Sequence, residues 1–240
     1  MERNTQKIAS ELAALYAQLE QDSSGLPLAK IARDIVPGEG PASAEILFIG
    51  EAPGAEEAIQ RRPFVGRSGK LFRLILESES GIKPELVYIS NIVKVRPPDN
   101  RDPSIEELAA YKKYLDREIE ILQPELIVTL GRFSMGKFLP EAKISQVHGR
   151  LHKVKWEGKV NYILPMYHPA AALRSTNTKN AFIHDFKKIP KILAWVTEQR
   201  NIEAQKKPEK QTELTALQKE FAKSDKTVDA LQTSIIEHLF

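Results

Sequence analysis

Apolar residues recur at helical spacing near the start of the chain, where Ile8, Leu12, Leu15, Tyr16 and Leu19 share one face over 5–20. That spacing predicts an amphipathic helix. A loop-rich stretch, SSGLPLAKIARDIVPGEGPAS, leads to AEILFIG, a continuous apolar run that stops at Gly50. Short apolar runs bounded by glycine suit strands buried on both faces of a parallel sheet. ELVYISNIVKV and ELIVTLG read the same way, and RLHKVKWEGKVNYILPMYHP predicts a hairpin turning at Glu157 and Gly158. One helix is predicted from Ser68 to just before Gly81, with Leu71, Leu74 and Ile75 inward. Another follows Pro103, with Leu108, Tyr111, Leu115, Ile119 and Leu122 on one face. Ser104 and Glu107 give it the S-x-x-E pattern of a capping box. A short helix over 132–139 and a last one over 179–198, kinked at Pro190, complete the pattern. Strands alternating with helices predict an α/β fold with a mainly parallel sheet.

Composition narrows the function classes. A 240-residue chain, 42% hydrophobic and 28% charged, can hold one well-packed domain plus an appendage. Beyond about residue 200 the sequence turns polar, so a domain over 1–198 and a tail over 199–240 are expected. No apolar run approaches a membrane span and the N-terminus lacks a signal-peptide core, so the expected setting is cytoplasmic, with no membrane partner. There is no cysteine, which excludes disulfides, thiolate metal ligands and cysteine nucleophiles. No metal and no cofactor is expected. The formal charge of +3 is compatible with nucleic acid without requiring it.

In open α/β sheets, ligands bind beyond the carboxyl ends of the strands. Here those ends are GEAPGAEE, NIVKVRPPDNR, GRFS and HPAAALR. The first has neither the dinucleotide fingerprint nor the phosphate-binding P-loop pattern. Its three carboxylates suit activating a water or stabilising a cation better than cradling a phosphate.

Five stretches in order, GEAPGAEE, RRPFVGRSGKLF, YISNIVKVRPPDNRDP, LIVTLG and MYHPAAALR, resemble the family 4 uracil-DNA glycosylases over residues 23–196. The resemblance implies a three-layer α/β/α sandwich with a central, mainly parallel four-stranded sheet. It also implies hydrolysis of the N-glycosidic bond of deoxyuridine in DNA, the base being flipped from the stack. Carried over residue by residue, Glu51 positions the water or stabilises the sugar cation, and His168 stabilises the leaving uracil anion at O2. Asn91 pairs with O4 and N3–H, Phe64 stacks on the base, Glu57 sits near C5, and Gly50 and Ala52 line the base site. For DNA, the resemblance points to Arg67, Ser68 and Gly69 at a helix start, to Arg101 and Arg174, and to Leu173 as a wedge, since Ala172 stands where a bulky residue is expected. Taken singly, each residue also has a bland reading: core packing for Phe64, a turn for Asn91, helix capping for Ser68, solvated charge for the glutamates.

The chain departs from the family where the family holds a four-iron four-sulfur cluster. The cluster positions carry Ser23, Leu26, Val95 and Ala110, so a cluster-free protein is expected, with Leu26, Leu28, Val95 and Ala110 forming an apolar plug instead. Arg61 stands where the family has glycine and is a candidate DNA contact. The terminal QTSIIEHLF weakly resembles segments that dock on sliding clamps. A monomer is expected. Two rival readings stay open: a non-catalytic DNA- or base-binding member, and a glycosylase for hypoxanthine or xanthine.

Overall fold

The structure, a computed structural model, describes residues 4–205. The QTSIIEHLF segment lies outside the described residues. The described residues divide after Ala194, and the unit before that point carries the sheet and the site.

The order of elements is α1 (Thr5–Gln21), β1 (Ile46–Gly50), α2 (Ala55–Gln60), α3 (Arg67–Ser80), β2 (Tyr88–Asn91), α4 (Ile105–Leu122), β3 (Leu126–Leu130), α5 (Arg132–Gly136), α6 (Ile144–Val147), β4 (His152–Trp156), β5 (Lys159–Met166), α7 (Pro169–Ala172) and α8 (Thr176–Phe186). The sheet order is β2-β1-β3-β5-β4. Four parallel strands form the predicted sheet, and β4 adds a fifth, antiparallel edge strand. β4 is the first arm of the expected hairpin, whose turn residues Glu157 and Gly158 both have positive φ, the geometry of a tight two-residue turn. Its alternating burial marks it as the edge, whereas β1 and β3 are buried throughout.

Strand alternation sends side chains to two cores. Leu47 and Ile49 join Leu12 and Leu19 of α1 and Tyr111, Leu115 and Ile119 of α4. On the other face Phe48 packs edge-on against Phe72 of α3, with ring centroids 5.0 Å apart, and Phe72 meets Phe186 of α8.

Three helix expectations need correcting. The inward face of α3 is Gly69, Phe72, Ile75 and Leu76, and Leu74 is exposed. Ser68 is not the N-cap: Gly66 is, so Ser68 lies inside the first turn. The last helix is two helices. α8 ends at Phe186, two turn residues follow, and helical structure resumes at 189 with Pro190 in its first turn. Proline cannot follow four residues of uninterrupted helix without clashing with a carbonyl, but it fits a first turn. The capping box of α4 forms as expected, with Glu107 N donating to Ser104 Oγ and Ser104 N to Glu107 Oε2.

Val95 is 3% exposed within the apolar cluster, and Leu26, Leu28 and Ala110 pack against that cluster. The Tyr111 hydroxyl donates to the Pro27 carbonyl at 2.7 Å, tying the 23–28 loop to α4. The donor set does not fit an iron–sulfur cluster, since these positions present methyl groups and a hydroxyl rather than thiolates. Among the described residues, no helix is long and apolar enough to cross a membrane.

Candidate active site

The parallel strands end side by side, and the register places Gly50 opposite Asn91. The peptide beyond β1 stays paired, Ile92 N donating to Gly50 O and Val93 N to Glu51 O. These bonds fix Glu51 and Asn91 at the same edge of the sheet. A Cβ on Gly50 would overlap Asn91 Oδ1 and lie 2.5 Å from Phe64 Cζ, so glycine is what lets those two side chains meet over the strand end. Asn91 is 3% exposed, yet its Oδ1 has no hydrogen-bond partner among the described residues. Buried polar atoms are rarely left so.

His168 faces the same space from the end of β5. Its ring centroid lies 6.0 Å from that of Phe64, and its Cβ is 3.1 Å from where a Cβ on Gly131 would be. It caps α7: Ala170 N donates to Nδ1 at 3.2 Å. An Nδ1 that accepts leaves the proton of the neutral ring on Nε2. Burial, and then the charge of Arg174, press its pKa down to about 4, against the opposing pull of Glu57. The imidazole is therefore neutral at pH 7, with one N–H to donate.

Glu51 is partly buried. Burial raises its carboxyl pKa above the usual carboxylate range, as does the nearby charge of Asp102, and Arg132 opposes both. Asp102 and Arg132 pair with each other near Glu51. Neither is an expected site residue: in the sequence Asp102 is a loop charge and Arg132 opens a short helix.

Glu57 is not free in the pocket mouth. It is buried on α2, and its Oε1 accepts from Val65 N at 2.9 Å and Gly66 N at 2.7 Å. That bond pair folds the 61–66 loop back and brings Phe64 over the strand ends. Ala52, partly buried, packs against the main core beside Glu51.

A sequence profile described as the uracil DNA glycosylase superfamily matches residues 37–189, well over half of the chain. The chain belongs to that superfamily. Among curated relatives, a type-4 uracil-DNA glycosylase of Sulfurisphaera tokodaii is 45% identical over 159 residues, covering 64% of this chain and 72% of that protein. That of Saccharolobus solfataricus is 41% identical over 170 residues, covering 69% and 79%. That of Archaeoglobus fulgidus is 42% identical over 167 residues, covering 68% and 83%.

Around this superfamily pocket the cationic residues divide. Arg67 and Arg174 are exposed, and the first-turn amides of α3 have no helix carbonyl four residues back to bond. Gly69 is buried under the Phe64 backbone. Arg101 donates two hydrogen bonds to the Glu107 carboxylate, at 2.8 and 2.6 Å, while its side chain stays half exposed. Arg61 does not reach outward as a DNA contact would: its Nε donates to Ile35 O at 3.0 Å and its Nη2 pairs with Glu20 of α1. At the end of α7, Ala172 is buried and Leu173 is exposed.

Proposed function

We propose that this protein is a DNA-repair enzyme that hydrolyses the N-glycosidic bond of deoxyuridine in DNA, leaving an abasic site. Membership of the superfamily and the name shared by its type-4 relatives support the reaction. The orphaned, buried Oδ1 of Asn91 carries the choice of base. An unmet buried acceptor costs on the order of 1–3 kcal/mol. Uracil relieves it with N3–H and takes the amide N–H at O4, whereas cytosine presents no donor at N3 and a donor at position 4.

The roles of the remaining residues follow from their places around that amide. The nucleotide leaves the stack, since its reacting atom is out of reach in a duplex, and its base lies against Phe64, a contact worth about 1–3 kcal/mol. The C1′–N1 bond breaks with both electrons passing to the base. The Nε2–H of His168 donates to O2, where the negative charge gathers. Glu51 holds the water that adds to C1′ and takes its proton. Glu57 shapes the pocket edge near C5 through the loop it pins. Arg67, Arg101 and Arg174, with the Arg67, Ser68 and Gly69 amides, hold phosphates, and Leu173 fills the gap left by the base.

The test is release from single- and double-stranded oligonucleotides carrying one deoxyuridine, read by alkaline cleavage of the abasic site. Strand scission is expected. None at stoichiometric protein would favour a non-catalytic DNA binder, and scission only with hypoxanthine or xanthine would move the substrate.

The same proposal takes 1–198 as the catalytic domain and 199–240 as an appendage, in a monomer acting on DNA in the cytoplasm or nucleoid. QTSIIEHLF is a candidate clamp-docking segment. Its deletion should weaken binding to a sliding clamp without changing uracil release.

A further inference from the structure

Phe64, the proposed stacking platform, has a left-handed backbone with φ 54°. A bulky L residue keeps that conformation only where its surroundings over-determine it. Below it, a Cβ on Gly69 would overlap the Phe64 carbonyl, so the loop lies directly on the first turn of α3. After it, the Glu57 carboxylate holds the Val65 and Gly66 amides. From α3, Arg73 Nε donates to Phe64 O at 3.0 Å and Arg73 Nη2 to Pro63 O, also at 3.0 Å. A guanidinium has a rigid fork of donors, so binding two successive carbonyls fixes the orientation of the peptide between them as well as its position.

The fork is itself held. Arg73 Nη2 lies 3.3 Å from Glu39 Oε1, and Arg62 grips the same carboxylate at both oxygens, at 2.7 and 2.8 Å. Arg62 above all, with Arg73 behind it, keeps the Glu39 carboxyl below the usual carboxylate range. This chain of groups meets the loop through the Pro63 and Phe64 carbonyls, and none of its members is among the residues assigned above to base or water.

We propose that Arg73 is a positioning residue for uracil excision: clamped by Glu39 and Arg62, it fixes the Pro63 and Phe64 carbonyls and thereby sets the plane on which the flipped base stacks. The inference rests on the reading of Phe64 as the stacking platform. A cavity of about 260 Å³ lined by Glu39, Gly40, Pro41, Arg62, Arg73, Pro84 and Glu85 opens on the clamp from outside. A shortened side chain at position 73 is therefore replaced by water rather than by an apolar void, and the fold should survive the change.

A merely structural arginine would lower stability and rate whatever stands at position 64. A positioning arginine acts only through the ring. In full-length protein under single-turnover conditions, Arg73→Met should slow uracil release about tenfold when Phe64 is present, the scale of a sub-ångström misplacement. In the Phe64→Ala background it should slow release less than twofold, a coupling that the double-mutant cycle isolates. Melting temperatures should fall equally in both backgrounds. An equal slowing in both backgrounds, or none in either, would overturn the clamp. A wild-type rate in Phe64→Ala alone would instead sink the stacking reading. Should Arg73→Met fail to fold, Glu39→Gln is put through the same cycle, with the same criteria.

Discussion

Gly50 leaves no room for a methyl group between itself and Asn91: a Cβ there would overlap the Oδ1 that has no partner and press on Phe64 from 2.5 Å. The strand register makes the two residues neighbours, so neither backbone can retreat without breaking sheet hydrogen bonds. Gly50→Ala is expected to spoil recognition while leaving the sheet intact. Release from a deoxyuridine oligonucleotide should fall on the order of a hundredfold, as for other small misplacements of reacting groups. An unimpaired rate would mean that the base does not lie between Asn91 and Phe64.

His168 gives a pH signature in stability. Its folded pKa is about 4, against 6.5 for the free side chain. Between those values the unfolded chain binds a proton that the folded protein does not. Stability therefore rises with pH across the window and falls as pH drops through it. Denaturant unfolding of wild type and His168→Asn between pH 4 and 6.5 should show the variant losing less stability on acidification. Parallel curves would show that the imidazole is not desolvated. Because the ring is already neutral, the excision rate should have no His-dependent limb near pH 6.5, and His168→Asn should slow release on the order of 10²-fold or more, since the shorter amide lacks the Nε2–H that reaches O2.

Glu51 should set the acidic limb of the rate profile. It acts as a carboxylate, and burial with the Asp102 charge raises its pKa, so the limb belongs above the ordinary carboxylate range. Asp102→Asn removes a like charge and should move the limb to lower pH. Arg132→Gln removes a cation and should move it upward. Shifts of the reverse sign would place the titrating group elsewhere, and Glu51→Gln should abolish the limb together with most of the rate.

What the sequence makes legible follows from which forces are local. The apolar runs of β1 and β3, the S-x-x-E box before α4 and the Glu157–Gly158 turn are written in neighbouring residues, and each forms where expected. Asn91 and His168 could be singled out because strand ends are where such a fold binds ligands, and the structure brings them together with Phe64 and Gly50. Leu74 is exposed: helical spacing alone does not say which of two adjacent stripes meets the sheet, and Phe72 takes the inward place. Arg73, Glu39, Asp102 and Arg132 left no signal, since their partners lie far along the chain. Lys94 and Glu118 are the clearest case. One sits in a strand-like run and the other among the charges of a helix, and they find each other only on folding.

That pair carries a stability prediction. Lys94 Nζ and Glu118 Oε2 lie 2.7 Å apart with side chains 1% and 0% exposed, and Ser90 and Tyr16 donate to the same carboxylate. Removing one partner of such a pair strands the other charge, at about 3–5 kcal/mol. Lys94→Met should lower unfolding free energy on that scale. Adding Glu118→Leu should recover a large part, because the stranded carboxylate is then gone. A double variant as unstable as the sum of the singles would show that the two charges do not interact.

Val95 tests the apolar plug at the positions where the resemblance to family 4 implies a metal cluster. The strand-end loop that begins at Asn91 must be anchored on the side away from the base, and in this chain the anchor is apolar. Val95 is 3% exposed in the main cluster, Leu26, Leu28 and Ala110 lie against it, and Tyr111 holds the Pro27 carbonyl beneath them. Val95→Asp puts a carboxylate into the apolar cluster. It should cost roughly 2 kcal/mol or more, read as a lowered urea midpoint. The same change should weaken uracil release, because the 23–28 loop and the strand bearing Asn91 loosen together. Val95→Ala removes volume without adding charge, so a smaller loss is expected, with release nearly intact. An aspartate tolerated at no cost in midpoint would mean that this loop is held by something other than the plug.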